Sequence, residues 1–493
     1  MIRPAAGLPL FDEPGVRALD RAAISTAGIP GVELMNRAGT ACLHAMLQRW
    51  PGIQRIAVVC GSGNNAGDGY VVARLAQQAG HRVRVVQLGD ISRLGADARA
   101  CYDRMRSAGI EPEPTVELSD WPDLIVDALF GIGLARAIEG DYRVMVERIN
   151  DAGAPVVSID IPSGIAANSG VRLGVAVAAA LTVTFIGRKQ GLYTGDGPAH
   201  CGDIVFDDLG VPAGIVDATA ATANLLGAAD LTGRFMPRSR TAHKGNNGHV
   251  LIIGGAPGFS GAARLAGEAA CRVGAGLVSI AMHPDSVAGA NSARPELMAH
   301  GIATSEALLP LLRRASIVAV GPGLGQSTWA TGLLATVLER DRERMLVLDA
   351  DALNLIAQEP VALPRTVLTP HPGEAARLLG TTTAAIHADR FAAAAALHER
   401  YHGVVVLKGA GTIVADDGVP SLIGAGNPGM GAGGMGDVLT GVIAGLAAQG
   451  AAPGAAARFG ACVHAVAGDR AAGAGERGLL AGDLMPHLRA LVN

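Results

Sequence analysis

Residues 427–441 read NPGMGAGGMGDVLTG. Six glycines surround one acid, Asp437, and the helix-forming apolar run VLTGVIAGLAAQ overlaps its end. A glycine-rich turn that runs into a helix leaves backbone N–H groups without intrahelical partners, all aimed one way. Phosphate is the natural partner of such a turn, and an acid at its lip can take a proton from a hydroxyl. A loop that only caps a buried helix would have the same composition, so the stretches around it must decide.

Upstream, apolar β-branched runs end in glycine- or acid-bearing turns. HVLIIGG (249–255), GLVSIAM (276–282), SIVAVGPG (316–323), MLVLDADAL (345–353), TVLTPHPGE (366–374) and VVVLKGAGTIVA (404–415) read as strands. The same texture occurs earlier in RIAVVCG (55–61), RVRVVQL (82–88), DLIVDALFG (123–131), PVVSIDIPSG (155–164) and LTVTFIG (181–187). Strands alternating with helical stretches predict βαβ units on parallel sheets, with functional loops at the strands' C-terminal ends. Residues 12–49 read as two helices, broken around Gly28, Pro30 and Gly31. SGNNAGDG (62–69) reads as a loop, followed by a helix from about Tyr70 to Gln78. The run Val175 to Gly187 is too short to span a bilayer and reads as a helix end plus a strand. Between residues 211 and 245 the pattern blurs into Ala/Thr/Pro-rich sequence. The expectation is therefore an α/β protein of two domains, 1–222 and 223–493.

Composition agrees. A chain of 493 residues is too long for one ordinary domain. Glycine, at 68 residues, is about twice its usual share, as expected for many tight strand-to-helix turns. A net charge of −4 gives no reason to expect nucleic acid or a membrane surface as partner. Six cysteines without a CxxC pair read as reduced, mostly buried thiols, and the N-terminus lacks a signal pattern, so a cytoplasmic protein is expected. Only three lysines occur, Lys189, Lys244 and Lys408, and the last two sit beside glycines. An ammonium in a Gly-rich turn is a common phosphate ligand.

In the first half three strand ends carry chemistry. GSGNNAGDG (61–69) misses GxGxxG, which argues against a hydride-transfer dinucleotide site. Its Asn64, Asn65 and Asp68 offer oxygens to a hydroxylated ligand or a hard cation, or simply form an Asx-rich turn. Asp127 and Asp160 each end an apolar strand, and an acid there is costly to bury unpaired. GNNAGDG, DALFGIGL and DIPSG, in this order, resemble the NAD(P)HX epimerase family, the N-terminal half of bifunctional NAD(P)H-hydrate repair proteins. The resemblance implies a Rossmann-like doubly wound domain, a potassium ion, and interconversion of the R and S hydrates of NADH and NADPH. By motif, Asn64, Asn65, Ala66, Gly67 and Asp68 would touch the hydrate. Gly131, Ile132, Gly133, Leu134, Ala135, Arg136, Ala137 and Tyr142 would wrap the nucleotide. Asp160 would sit at the reacting centre, and Asn65, Asp127 and Ser163 would hold potassium. Ala66 stands where the family often has Gly.

In the second half HKGNNGHVLIIGG, FSGAARLA, GPGLG, DADALN, TPHPGE, LKGAGT and the opening Gly loop resemble the ribokinase-like superfamily. More closely, they resemble the ADP-dependent NAD(P)H-hydrate dehydratase family. The implied chemistry is phosphorylation of the C6 hydroxyl of the S hydrate, then loss of phosphate to restore the nicotinamide ring. Asp437 would be the base and Gly436 an N–H donor. Lys408, Gly409, Ala410, Gly411 and Thr412 would bind the adenine nucleotide. Ala262, Gly323, His371 and Asp437 would contact the hydrate, and Glu374 would help hold magnesium. The expected partners are NADHX, NADPHX and ADP, in a homo-oligomer. A vitamin or sugar kinase fused to a cofactor-binding domain is the rival, and it would accumulate a phosphorylated product.

Overall fold

The computed structural model describes residues 7–118, 122–290, 294–340 and 343–493. Residues 1–6, with which the first expected domain begins, lie outside them. Contacts divide the chain into a unit Pro9–Ala223 and a unit Asn224–Asn493 that also takes Leu8.

The strands of the first unit are β1 (Leu8–Phe11), β2 (Arg55–Cys60), β3 (Arg82–Gln87), β4 (Leu124–Ala128), β5 (Val156–Ile159), β6 (Leu181–Phe185), β7 (Arg188–Lys189) and β8 (Asp203–Asp207). Six of them form one parallel sheet in the order β3-β2-β4-β5-β6-β8. β1 pairs with β7, Leu10 opposite Arg188 and Phe11 opposite Lys189. Strands covered on both faces need apolar side chains at every position, and β4, β5 and β6 are buried throughout. Alternation sends Ile56, Val58 and Cys60 into one core and Ala57 and Val59 into another. Helices 13–25, 31–49, 64–78 and 96–107 contribute to the first core and helix 140–151 to the second, so the sheet is doubly wound.

Among the described residues the second unit has ten strands: β9 (Ala223–Leu226), β10 (His249–Ile253), β11 (Leu277–Met282), β12 (Met298–Gly301), β13 (Ile317–Val320), β14 (Leu346–Leu348), β15 (Thr366–Leu368), β16 (Val404–Leu407), β17 (Thr412–Ala415) and β18 (Ser421–Ile423). Their order is β12-β11-β10-β13-β14-β15-β16-β17-β18-β9. Pairing is parallel as far as β16, antiparallel through β17 and β18, and parallel again onto β9. Val250 and Ile252 enter one core, Leu251 and Ile253 the other. The helix Met435–Ala448 is buried on almost every side, as an all-apolar helix must be. It lies so close to the helix Ser260–Arg272 that a Cβ at Gly441 would overlap the carbonyl oxygen of Ala266.

Three local expectations are corrected. The helix after β2 is Asn64–Gln78, so the Asn-rich stretch is its first turn rather than a loop. Residues 175–180 are not helical, since Ala176 and Val177 are buried in an irregular segment before β6. VVVLKGAGTIVA is an antiparallel pair of strands, turned at residues 408–411, and not one strand. β8, β9, β12 and β18 carry too little apolar periodicity to be read from sequence; β8, DIVFD, is partly exposed. Among the described residues no helix is long and apolar enough to cross a membrane. All six cysteines are free thiols, and five are buried.

Candidate active sites

In the first unit the strand ends meet at a cavity of about 790 Å³. Asn64, Asn65, Asp68, Gly131, Ile132, Gly133, Leu134, Ala135, Arg136, Tyr142 and Asp160 line it. Ala66 and Gly67 do not, because both are packed inside their helix; a Cβ at Gly67 would press on the Met35 sulfur and on Ala98. Ala137 is likewise not part of the lining.

Asp160 follows β5 directly and adopts φ +68, a left-handed backbone uncommon outside glycine and tolerated best by Asn and Asp. Such outliers concentrate at functional sites. Its Oδ1 accepts from the Lys189 ammonium, from Thr184 Oγ1 (3.4 Å) and from the Phe185 amide (3.3 Å). Lys189 is 1% exposed and also donates to Thr184 Oγ1 (3.2 Å) and the Phe185 carbonyl (3.0 Å). The sequence reading passed over Lys189. Its rarity as one of three lysines was the available signal, but it has no glycine beside it. Asp20, on the helix Glu13–Ser25, also lines the cavity and left no sequence signal.

Asp127 lies fully buried at the end of β4. Its carboxylate accepts from Ser158 Oγ (2.8 Å), Ser163 Oγ (2.6 Å), the Ser163 amide (2.9 Å) and the Leu129 amide (3.2 Å). Burial raises its carboxyl above the usual range, against these hydrogen bonds, which lower it. Ser163 Oγ lies 3.3 Å from the Phe130 carbonyl, and the Asn65 amide donates to that same carbonyl (3.0 Å). One carboxylate among neutral oxygens suits a monovalent cation better than a divalent one. Asn65 would have to turn its amide so that Oδ1 faces the group. With that turn the donor set fits potassium.

In the second unit the chemistry gathers at the N-terminus of the helix Met435–Ala448. Gly434 caps it at φ +91, a conformation that needs glycine. The first helical bond is from Val438 to Gly434, so the N–H groups of Met435, Gly436 and Asp437 precede the ladder. Gly436 stands over the Lys408 ammonium: a Cβ there would lie 3.3 Å from Nζ and 3.6 Å from Asp349 Oδ2. Lys408 donates to Asp349 Oδ1 (2.8 Å) and lies 3.8 Å from Glu374. Asp349 Oδ2 accepts from Thr440 Oγ1 (2.9 Å). Burial alone would raise Asp349, but Lys408 and the hydroxyl donors outweigh it and hold the carboxyl below its ordinary value. Burial alone would lower Lys408, but Asp349 and Glu374 outweigh it and raise the ammonium.

Asp437 departs from a simple expectation. A helix N-terminus favours the ionised form, yet burial and the Asp349 charge push this carboxyl up to about 7. Lys408 pulls the other way and does not prevail. Asp349 and Thr440 were not assigned from sequence, although DADAL was noted.

The other expected residues surround this core. A Cβ at Gly323 would lie 3.1 Å from that of Ala262. The Gly325 amide donates to Asp351 (2.8 Å), two residues from Asp349. His371 caps the helix Pro372–Leu379: its Nδ1 accepts from the Gly373 amide (3.0 Å), and Glu374 accepts from the His371 amide (2.8 Å). Glu374 is thus first a capping residue, and its buried carboxyl is raised, mainly by burial. Magnesium keeps most of its waters and takes phosphate oxygens, so one such carboxylate suits it as an anchor. Gly409, Ala410 and Gly411 form the turn between β16 and β17, closed by Thr412 Oγ1 on the Gly409 carbonyl (3.2 Å). Buried Arg390 donates to the carbonyls of Leu407 (3.3 Å), Lys408 (3.3 Å) and Gly411 (3.2 Å) and so fixes that turn. No sequence motif pointed to it.

Two family models match the chain, "NAD(P)H-hydrate dehydratase" over residues 250–489 and "YjeF-related protein N-terminus" over residues 31–191. The bifunctional NAD(P)H-hydrate repair enzyme of Coxiella burnetii is 47% identical over 490 residues, 98% of this chain and 99% of that one. The Escherichia coli enzyme of the same name is 42% identical over 97% of this chain and 93% of its own. Among solved structures, a ribokinase-like superfamily protein from Enterococcus faecalis superposes with TM-score 0.52 at 26% identity, over 55% of this chain and 95% of its own. The ADP/ATP-dependent NAD(P)H-hydrate dehydratase of Bacillus subtilis, co-crystallised with ATP and Mg²⁺, gives 0.50 at 28% identity, over 55% and 98%. With relatives of this identity matched end to end, the chain belongs to the family of bifunctional NAD(P)H-hydrate repair enzymes.

Proposed function

We propose that the first unit equilibrates the R and S hydrates of NADH and NADPH, and that the second dehydrates the S hydrate at the expense of ADP. The domain limits 1–222 and 223–493 carry these two activities. The observation that carries the second assignment is Asp437 at the mouth of a glycine-capped helix, beside the Lys408–Asp349 pair. Asp437 accepts the C6 hydroxyl proton as that oxygen attacks the terminal phosphorus of ADP. AMP departs, and the hydrate's oxygen later leaves within phosphate. Hydroxide is a poor leaving group and phosphate a good one. Such a site needs positioning and charge neutralisation more than covalent chemistry.

The N–H groups around Gly436 hold the transferred phosphoryl oxygens. The turn Lys408, Gly409, Ala410, Gly411 and Thr412 receives the adenine nucleotide, and Ala262, Gly323 and His371 receive the hydrate. Magnesium, anchored through Glu374, supplies charge neutralisation on the phosphates when bound. Lys408 acts chiefly by fixing Asp349 beneath the glycine turn, because its ammonium is already paired. In the first unit Asp160 lies at the reacting centre. Asn64, Asn65 and Asp68 form the hydrate wall, with Ala66 and Gly67 packed behind them in the same helix turn, and residues 131–136 with Tyr142 form the nucleotide wall. Asn65, Asp127 and Ser163 hold potassium, which when bound offsets the buried Asp127 charge. Six free thiols suit a reducing, cytoplasmic setting. A homo-oligomer completes the reading, and sedimentation velocity would test it.

Product analysis tests the whole. Mixed hydrates with ADP and Mg²⁺ should give NADH, AMP and phosphate in equal amounts. Accumulation of a phosphorylated hydrate would instead favour a simple kinase.

A further inference from the structure

The first-unit cavity brings together more ionisable groups than the reaction described so far uses. Asp20, Asp68 and Asp160 line it with Lys189, each from a different element. Arg17, Arg93, Arg136 and Asp97 line it too, but the charges that act on Asp68 are those of Asp160, Asp20 and Lys189. Lys189 is committed, since it is buried and bonded to Asp160, Thr184 and the Phe185 carbonyl. Asp160 Oδ1 takes three donors, all on one oxygen. Asp160 is therefore held as the anion of the set.

Asp68 has no such partner. Facing it are Asp20, Asp160 and Lys189, and the thiols of Cys42 and Cys101. Burial, with the Asp68 charge adding, pushes these thiols up to about 12 and about 11, so they stay neutral. Burial and then the charges of Asp160 and Asp20 hold Asp68 well above the ordinary carboxylate range, and Lys189 offsets them only in part. Asp20 is itself pushed up to about 6, first by burial. A carboxylate fixed by an ammonium and two further donors, beside a carboxyl that has none of them, marks a base and an acid.

We propose that Asp68 is the general acid of the epimerisation, acting opposite anionic Asp160. This rests on the reading that the cavity epimerises the hydrate. The reacting carbon bears a hydroxyl beside a ring nitrogen. The C6–O bond breaks as the nitrogen lone pair forms N1=C6, and the Asp68 proton passes to the departing oxygen, which leaves as water. The ring cation is stabilised by Asp160. Water then adds to the opposite face of C6, and the N1=C6 pair returns to nitrogen. The proton shed by the added water goes to Asp160 and returns to Asp68 through solvent in the cavity. One water leaves, one enters, and the proton count is unchanged.

The test uses the full chain, purified R hydrate and heavy-oxygen water. The parent should place one heavy oxygen at C6 for each inversion. Asp68→Asn should lose inversion and label uptake together, by roughly 10²-fold or more in kcat, with KM within a few-fold. Inversion at the parent rate would overturn the proposal, and so would label uptake at the parent rate without inversion. Should Asp68→Asn fail to saturate with hydrate, the parent's pH profile decides. Its kcat must fall on the alkaline side, and Asp20→Asn must move that limb to lower pH by removing a like charge. A flat alkaline profile would overturn the proposal. A parent chain that inverts nothing would instead sink the epimerase reading itself.

Discussion

In the first unit Lys189 lies against Asp160, and in the second Lys408 lies against Asp349. Each aspartate directly follows a parallel strand, β5 or β14, and each strand exits through a left-handed residue, Asp160 itself or Ala350. Buried Lys189 and half-buried Lys408 thus each neutralise an acid placed at a strand end. The third carboxylate separates the two sites. Asp68 lies in a cavity where burial and the charges of Asp160 and Asp20 drive it well above its ordinary value. Asp437 sits at a helix N-terminus, where the dipole favours the anion, and reaches only about 7. In the mechanisms proposed above, the first environment stores a proton to give and the second leaves a base ready to take one. The same pair of parts serves opposite proton directions, and what decides is how many like charges remain uncompensated beside it.

The largest effect should come from breaking a lysine pair. Lys408→Met leaves Asp349 buried without its ammonium. Loss of one partner of a buried pair costs about 3–5 kcal/mol. Denaturant titration should show a loss of that size, confined to the transition of the second unit, together with weaker nucleotide binding. Full stability with Met would mean that the hydroxyls of Thr369 and Thr440 suffice to hold Asp349.

Asp437→Asn keeps the shape and removes the base. Dehydration of the S hydrate should fall by roughly 10²-fold or more, while ADP binding and epimerisation persist. Dehydration within a few-fold of the parent would reduce Asp437 to a helix cap. Asp160→Asn should do the converse: R hydrate converts only at its spontaneous rate, and S hydrate is still dehydrated. Conversion of R at the parent rate would take Asp160 out of the reacting centre.

A smaller and graded effect follows from pH. A base must be ionised, so kcat/KM for dehydration should drop about tenfold per unit below about 7. The stability sign is opposite. Asp437 is raised from 3.8 to about 7 in the folded chain, so folding loses stability as pH rises between those values. At about 1.36 kcal/mol per unit, the penalty above pH 7 is at most about 4 kcal/mol. Asp437→Asn should therefore raise Tm at pH 8 and leave it unchanged near pH 4. A variant that is no more stable at pH 8 would contradict the buried, raised carboxyl.

Much of this was legible in sequence. Continuous apolar β-branched runs gave the central strands, and glycine or acid at their ends gave the site loops. Resemblance of motif order gave the family. What sequence did not give was side-chain partnership. Lys408 was read as a phosphate ligand because it stands beside glycines, but its pairing with Asp349, 59 residues away in the chain, left no local signal. Lys189 was overlooked because its partner Asp160 is 29 residues away. Asn64 to Asp68 read as a loop because Asn and Gly are poor helix formers, but burial of Asn65, Ala66 and Gly67 stabilises helix there. Long-range pairing and tertiary burial are absent from a local pattern.

The central claim is that one chain carries two separable sites acting in sequence. It is tested most directly by giving pure R hydrate, ADP and Mg²⁺ to the parent chain, to Asp160→Asn and to Asp437→Asn, and following NADH absorbance with analysis of the remaining hydrate. The account predicts full recovery of NADH by the parent. It predicts untouched R hydrate with Asp160→Asn, and an R/S mixture without NADH with Asp437→Asn. NADH formed from R hydrate by Asp160→Asn at the parent rate would contradict it.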